Sequence, residues 1–356
     1  MKRFGWIMSG VAMSALCAGA AQAQDASKFY ADKTLTYYVG LSAGGGYDQN
    51  ARLVARYIDK YIPGKPTIIV RNMPGGGGLV MTNFVSGAAP KDGLHIAVPQ
   101  RGVPFEPLLG KDSHAKFDPL KLQWIGSTNS DTSVALVASR TGVKTWQDLR
   151  NKEVVVGGTG VGTESVTVPY LLRNMLGFKY SVIAGYPGGS DVNLAMERGE
   201  VDGRGTFSWT SLKPKKQEWL DSGKYVMLYQ MALRPHKELK DIPLVTDLAP
   251  DAETKTLLRL QFAAFEMGRP QFVADGVPAD RVNILRRAFD KVMEDKELLA
   301  DAAKRDMEID PMTGEEMTKL MQEVYSSPKD VVAKLAEALK KPNNVKVIAP
   351  QPRDKK

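Results

Sequence analysis

Three glycine-rich stretches, Ala43-Gly44-Gly45-Gly46-Tyr47-Asp48, Pro74-Gly75-Gly76-Gly77-Gly78 and Gly157-Gly158-Thr159-Gly160-Val161-Gly162-Thr163, each lie between a β-branched run and the start of a helical pattern. A strand that ends in glycines and turns directly into a helix is the unit of an α/β domain with a largely parallel sheet. Residues 35–39 and 67–71 read as strands from their β-branched and aromatic content, and residues 94–98 as a third after the Asp92-Gly93 turn. Between the first two, Ala51, Val54, Ala55 and Ile58 share one face of a helix predicted to run from an Asp48 N-cap to Tyr61, where Pro63-Gly64 stops it. A second series follows at residues 134–138, 144–149 (a helix start), 154–156, a helix through Leu176, 180–183, and a turn and helix over 188–198. Residues 225–229 form a strand placed to return the chain to the first series, whereas 102–119 reads as a long irregular connection. Beyond Asp280 the pattern is helical and charged through Ala338, and the polar tail over 341–356 is expected to be mobile.

The amino terminus reads as a leader. Lys2 and Arg3 precede an uncharged stretch of small and apolar residues that ends in Ala21-Gln22-Ala23, the small-x-small pattern of signal-peptidase cleavage. Residues 1–23 are therefore expected to be removed as a signal peptide, which places the mature chain in the periplasm. The single cysteine, Cys17, leaves with the leader, so the mature chain has no disulfide, thiolate nucleophile or cysteine metal site. A core must hold the fold by itself, and an apolar content of 43% is ordinary for that. Without Lys2 and Arg3 the net charge falls from +8 to +6, a modest positive field that favours anionic solutes. No basic stripe is interleaved with aromatics, so a nucleic-acid partner is not expected.

Glycines let the backbone approach a ligand closely, and the N–H groups of a helix N-terminus point at bound anions. Loops of this kind in both series suggest an anion held from two sides, although any one of them serves a tight turn equally well. A nucleotide fits poorly: residues 157–162 have P-loop spacing, but Thr163-Glu164 stands where Lys-Ser/Thr is needed, and no G-x-G-x-x-G occurs there. His95, His114 and His236 are the only histidines, and neither a G-x-S-x-G elbow nor a zinc-binding cluster is present. Catalytic residues, cofactors and metals are not expected. Asp48 and Asp202, beside glycine-rich turns, read as caps or hydrogen-bond acceptors. Arg101, at a strand end, and Arg204 are candidates for bidentate contact with a carboxylate; pairing with Glu164 or Asp202 is the structural alternative for each.

Taken in order, the local motifs resemble the substrate-binding proteins of tripartite tricarboxylate transporters, the Bug family. Gly44-Gly45-Gly46-Tyr47-Asp48 followed by Ala51-Arg52 resembles the family's Gly-Gly-x-x-Asp loop and Ala-Arg helix. Asn72-Met73-Pro74-Gly75-Gly76-Gly77 is similar to its Asn-x-Pro-Gly-x-Gly segment, and Pro90-Lys91-Asp92-Gly93 to its Pro-x-Asp-Gly turn. Tyr186-Pro187-Gly188, with Gly199-Glu200-Val201-Asp202, resembles its Tyr-x-Gly and Gly-x-Val-Asp pair, and Gly276-Val277-Pro278-Ala279 the start of its C-terminal helical part.

The resemblance implies an α/β, two-lobed periplasmic-binding-protein-like fold of type II, with a hinged cleft that closes on a small organic acid. Such a protein acts as a monomer and delivers its ligand to membrane permease subunits. Lobe one is expected over residues 33–126 and 232–340, and lobe two over 127–231. Carried over, Ser42, Ala43, Gly44, Gly45, Gly46, Tyr47 and Asp48 would supply the first contact set. Gly160, Val161, Gly162, Thr163, Glu164 and Ser165, together with Tyr186, Gly188, Gly189, Ser190 and Asp191, would supply the second, with Asp202 near the cleft wall. Ser42, Arg101 and Glu164 depart from the family pattern, and they put a simple dicarboxylate in doubt. A sensor's ligand-presenting subunit and a binding protein for a non-carboxylate solute are the alternatives.

Overall fold

The computed structural model describes residues 28–110, 114–342 and 345–348. The expected leader and the end of the tail lie outside the described residues. The described residues form two six-stranded sheets. Six strands make the first sheet: β1 (Thr34–Val39), β2 (Thr67–Asn72), β3 (His95–Val98), β4 (Gln123–Ser127), β10 (Pro270–Val273) and β11 (Met312–Thr313), in the order β11-β4-β10-β3-β1-β2. The second holds β5 (Ser133–Ala138), β6 (Val154–Gly157), β7 (Tyr180–Ala184), β8 (Gly203–Ser208), β9 (Tyr225–Met231) and β12 (Lys346–Val347), in the order β12-β7-β6-β8-β5-β9. The helices of eight or more residues are α1 (Gly46–Ala55), α2 (Glu164–Leu176), α3 (Gly189–Glu197), α4 (Ala252–Phe262), α5 (Ala279–Met293), α6 (Lys296–Lys304), α7 (Gly314–Tyr325) and α8 (Lys329–Ala338).

The βα units expected from the glycine stretches are present, and β1, β2 and β3 pair in parallel, as do β7, β6 and β8. Each sheet also has an antiparallel part: β10 runs against β3 and β4, and β5 runs against β8 and β9. Strands β4, β8 and β10 were not anticipated. Gly126 in β4, Gly203 and Gly205 in β8, and Pro270 at the head of β10 interrupt the β-branched pattern that marks the others.

Other expectations need correction. Helix α1 ends at Ala55 and a separate turn of 3-10 helix covers Ile58–Tyr61, so the helix does not reach Tyr61 continuously. Its N-cap is Gly45 rather than Asp48, which sits in the first turn and accepts the Gly44 N–H at 2.9 Å. The 3-10 turn Trp146–Arg150 replaces the helix start near Lys144, closed by a Thr145–Asp148 capping box. Part of the tail is ordered: Lys346–Val347 pairs in parallel with Ile183–Ala184 at the edge of the second sheet.

Burial of apolar side chains drives this assembly. One cluster holds α1, α5 and α6 against the first sheet through Val54, Ile58, Leu285, Phe289 and Leu298. A second, with Phe207, Trp209 and Trp219, backs the second sheet. A third runs through both, joining Trp124 and Phe272 to Val154, Val156, Leu172 and Phe178, with Leu335 of α8. The sheets are thus packed together along one side, and their strand ends face each other across the other.

Candidate ligand-binding cleft

In open α/β sheets, ligands sit outside the carboxyl ends of parallel strands. Here the loops after β1, β3, β6, β7 and β8 converge on one cavity of about 170 Å³. Because β5 and β10 run antiparallel to their neighbours, they present their amino ends to the same place. Ser133 opens β5 and Arg269 precedes β10, and both line the cavity.

A buried ionic network forms its floor. Arg101 donates through Nε to Glu164 Oε2 at 2.8 Å, and its Nη2 lies 2.7 Å from Glu164 Oε1. It also pairs with Asp131, donates to Ser133 Oγ at 2.7 Å, and lies 3.8 Å over the Phe265 ring. Arg269 Nη1 donates to Asp131 Oδ2 at 2.9 Å, and Ser208 Oγ donates to Asp131 Oδ1 at 2.8 Å. Side-chain exposure is at most 5% for these four ionic groups, so their mutual pairing is what makes their burial tolerable. Burial opposes the charge on Arg101, but the Glu164 and Asp131 carboxylates outweigh it and hold the guanidinium above its ordinary value.

Arg204 differs. Its Nη1 donates to Asn193 Oδ1 at 3.2 Å and to the Gly189 carbonyl at 3.4 Å, and the guanidinium lies 4.1 Å over the Phe207 ring. Among the described residues its buried Nε has no partner and no carboxylate forms an ion pair with it. Burial, with the positive charges of Arg269 and Arg101 nearby, outweighs the attraction of the Glu164 carboxylate and brings it down to about 10, still protonated at neutral pH.

The first turns of α1, α2 and α3 also border the cavity, through Gly46 and Tyr47, Glu164 and Ser165, and Gly189 and Ser190. Helix N-termini carry partial positive charge. Each first turn has its own acid, already engaged: Asp48 by Arg52 and Asn72, Glu164 by Arg101, and Asp191 by Ser42 Oγ at 2.5 Å. Burial pushes the Asp48 carboxyl up, but the Arg52, Gly44 and Asn72 donors win and leave it below the ordinary carboxylate value.

No protein-family model matches the chain, and no curated sequence matches it. Solved structures do. The periplasmic binding protein BugD is 19% identical and matches 86% of this chain and 97% of its own with a TM-score of 0.68. A TctC solute-binding protein from Polaromonas is 20% identical over 86% of this chain and 99% of that one, with a TM-score of 0.58. MatC from Rhodopseudomonas palustris, solved with bound malate, is 20% identical over 84% and 99%, with a TM-score of 0.67. A further R. palustris protein, solved with adipate, is 17% identical over 86% and 97%, also at 0.67. The fold is that of these periplasmic binding proteins. The ordered sequence motifs led to the same group.

The expected site residues divide into three sets within this fold. Gly44, Gly45, Gly46, Tyr47, Arg101, Glu164, Ser165, Gly189, Ser190 and Arg204 line the cavity. Ser42, Ala43, Gly188 and Asp191 instead join the two sheets' loops at its mouth: the Ser42 N–H donates to the Pro187 carbonyl at 3.3 Å, and Ser190 Oγ to the Ala43 carbonyl at 3.2 Å.

The remainder do not border the cavity. Gly160 packs so closely on Gly76 that a Cβ would lie 2.2 Å from the Gly76 carbonyl carbon. Val161 is exposed, Gly162 abuts Glu106, and Thr163 and Tyr186 are buried in packing. Asp48 stands behind its loop, fully used by Gly44, Arg52 and Asn72. Asp202 is a correction of another kind: it precedes the amino end of β8, away from the cleft, where it pairs with Arg140 at 2.7 Å and accepts the Val155 N–H at 2.9 Å. Arg101 lines the cavity but is consumed by the protein's own acids.

Sequence reasoning missed Asp131 and Arg269 altogether, along with Gln100, Asn193, Thr206, Ser208 and Ser211. Asp131 lies in the polar stretch Asn129-Ser130-Asp131-Thr132 between two strands, a composition that could have flagged it. Arg269 carries no local signal, since its partner Asp131 is 138 residues away. Among the described residues no acid, histidine and cysteine group could hold a metal ion, and no helix is long and apolar enough to cross a membrane.

Proposed function

We propose that this chain is a periplasmic solute-binding protein that captures a small organic carboxylate in the cleft and delivers it to membrane permease subunits. The observation that carries the reading is Arg204, a guanidinium lining the cavity with no carboxylate partner among the described residues. A carboxylate there gains a charge-assisted hydrogen bond and the partial charges of the α1 and α3 N-termini. The binding proteins that share the fold include one solved with malate and one with adipate, which supports an organic acid as the ligand. Secretion rests on the expected leader over residues 1–23, and delivery to a permease on the motif resemblance.

The reading assigns no covalent chemistry to the cavity. Residues 33–126 with 232–340 would move as one lobe and 127–231 as the other, bending where the chain passes between the sheets near 128–132 and after Met231. Ligand would then populate the closed arrangement by binding it better than the open one. The test is a thermal-shift screen of the chain from Gln24 onward against organic acids, amines and sugars. A ligand at about 100 times its dissociation constant should add roughly 2.7 kcal/mol of stability. Stabilisation by organic acids, lost in Arg204→Ala, supports the reading; stabilisation by amines or neutral sugars alone overturns it.

A further inference from the structure

We propose that the cleft selects monoanions, taking one carboxylate on a ligand whose far end is uncharged and polar, and that Glu164 sets this selectivity. The inference rests on the carboxylate-capture reading and narrows it.

Charge balance is the first argument. Arg101 and Arg269 face Asp131 and Glu164 in one connected network, two cations against two anions. Lys215 at the rim is paired with Glu197 at 3.2 Å. Arg204 feels the charge of Glu164, but among the described residues no carboxylate is hydrogen-bonded or ion-paired to it, so it leaves the lining one cation in excess. A ligand with a single negative charge completes the site, and a second charge has no cation left to meet.

Space is the second argument. A cavity of about 170 Å³ compares with roughly 150 Å³ for one that holds benzene, so a ligand of about six to ten non-hydrogen atoms fits. A dicarboxylate of that size would bring its second carboxylate close to Asp131 or Glu164. The first turn of α2, otherwise suited to a second anion, already carries the Glu164 carboxylate bound to Arg101, and Ser165 Oγ is engaged in accepting the Thr159 N–H at 3.0 Å. The remaining lining offers the hydroxyls of Thr206 and Ser211, which suit a hydroxyl or carbonyl rather than a charge, while Ser208 is held by Asp131 and Arg269. Specificity is a difference of affinities, and a fixed repulsive acid is an effective way to build it.

Calorimetry of the chain from Gln24 onward with matched probes of that size tests this: 4-hydroxybutyrate against succinate and 5-hydroxypentanoate against glutarate, at neutral pH. The expected result is that the monoacid of at least one pair binds about tenfold or more tighter than its diacid. In Glu164→Gln, with folding checked by its melting curve, that ratio should shrink by about tenfold or invert, since one buried negative charge is gone. Wild-type protein supplies an independent readout that needs no variant. Diacid affinity should rise as the pH is lowered towards the diacid's second pKa, with a proton taken up on binding, while monoacid affinity shows no matching rise. A diacid that binds tighter than its monoacid without proton uptake overturns the selectivity and leaves carboxylate capture standing. Probes of both kinds failing to bind, while a non-acid does, overturns both.

Discussion

At the residue scale the three cleft arginines are chemically alike and functionally distinct, because their partners differ. Arg101 is committed to Glu164, Asp131 and Ser133, and its truncation leaves two buried carboxylates short of a partner. Breaking a buried pair from one side typically costs about 3–5 kcal/mol. Arg101→Ala is therefore expected to lower stability by that order, seen as a large fall in the melting midpoint before any ligand is added. A wild-type melting curve would show that the network contributes little. Arg204 makes the opposite prediction. With no carboxylate to abandon, Arg204→Ala should melt near the wild type yet lose roughly 10- to 100-fold in affinity for a carboxylate probe, the range of a charge-assisted hydrogen bond. Arg204→Lys should fall between, because an ammonium keeps the charge but not the planar fork or the stacking on Phe207. Equal affinities for all three proteins would remove Arg204 from the binding site.

At the element scale the glycine-rich loops do two jobs that look identical in sequence. The loop after β1 lines the cavity through Gly44, Gly45 and Gly46, whereas Gly160 in the loop after β6 lets backbone from the second sheet's loop lie directly on Gly76 of the first. Gly160→Ala should leave each lobe folded but hold the lobes apart. The melting midpoint is expected to change little, while affinity falls and small-angle scattering reports a larger radius of gyration than wild type under the same ligand concentration. Unchanged affinity and radius would show that this contact yields without cost. The parallel βα units were legible in the chain because strand, glycine turn and helix follow one another locally. The antiparallel strands β4, β8 and β10 were not, since glycines and Pro270 break their pattern and their partners lie far off in sequence. That loss propagated to the site: Arg269 reaches the cleft only because β10 runs backwards, and Asp202 misses it only because the carboxyl end of β8, not its amino end, points there.

At the scale of the whole molecule, the described residues pass between the sheets after β4, after β9 and between α8 and β12. The third passage brings Lys341 to the loop after β6, where its Nζ donates to the Val161 carbonyl at 2.8 Å. Glu106 stands at the same junction against Gly162, with a buried Oε1 that has no hydrogen-bond partner among the described residues. Burial pushes its carboxyl from an ordinary 4.5 to about 7, only partly countered by the charge of Lys341. A carboxyl with a raised folded-state pKa binds its proton more tightly in the folded protein, so its stabilising contribution is complete below about 4.5 and is lost as the pH rises through about 7. Wild-type stability should thus decline between those values relative to Glu106→Gln, by about 1–3 kcal/mol in total. Paired melting curves across that range measure the effect, and parallel curves would mean that Glu106 ionises without penalty. Because Glu106 and Gly162 belong to chain segments on either side of the cleft, the same ionisation should also weaken their contact. Wild-type protein is then expected to expand on raising the pH when followed by solution scattering, and Glu106→Gln to stay compact.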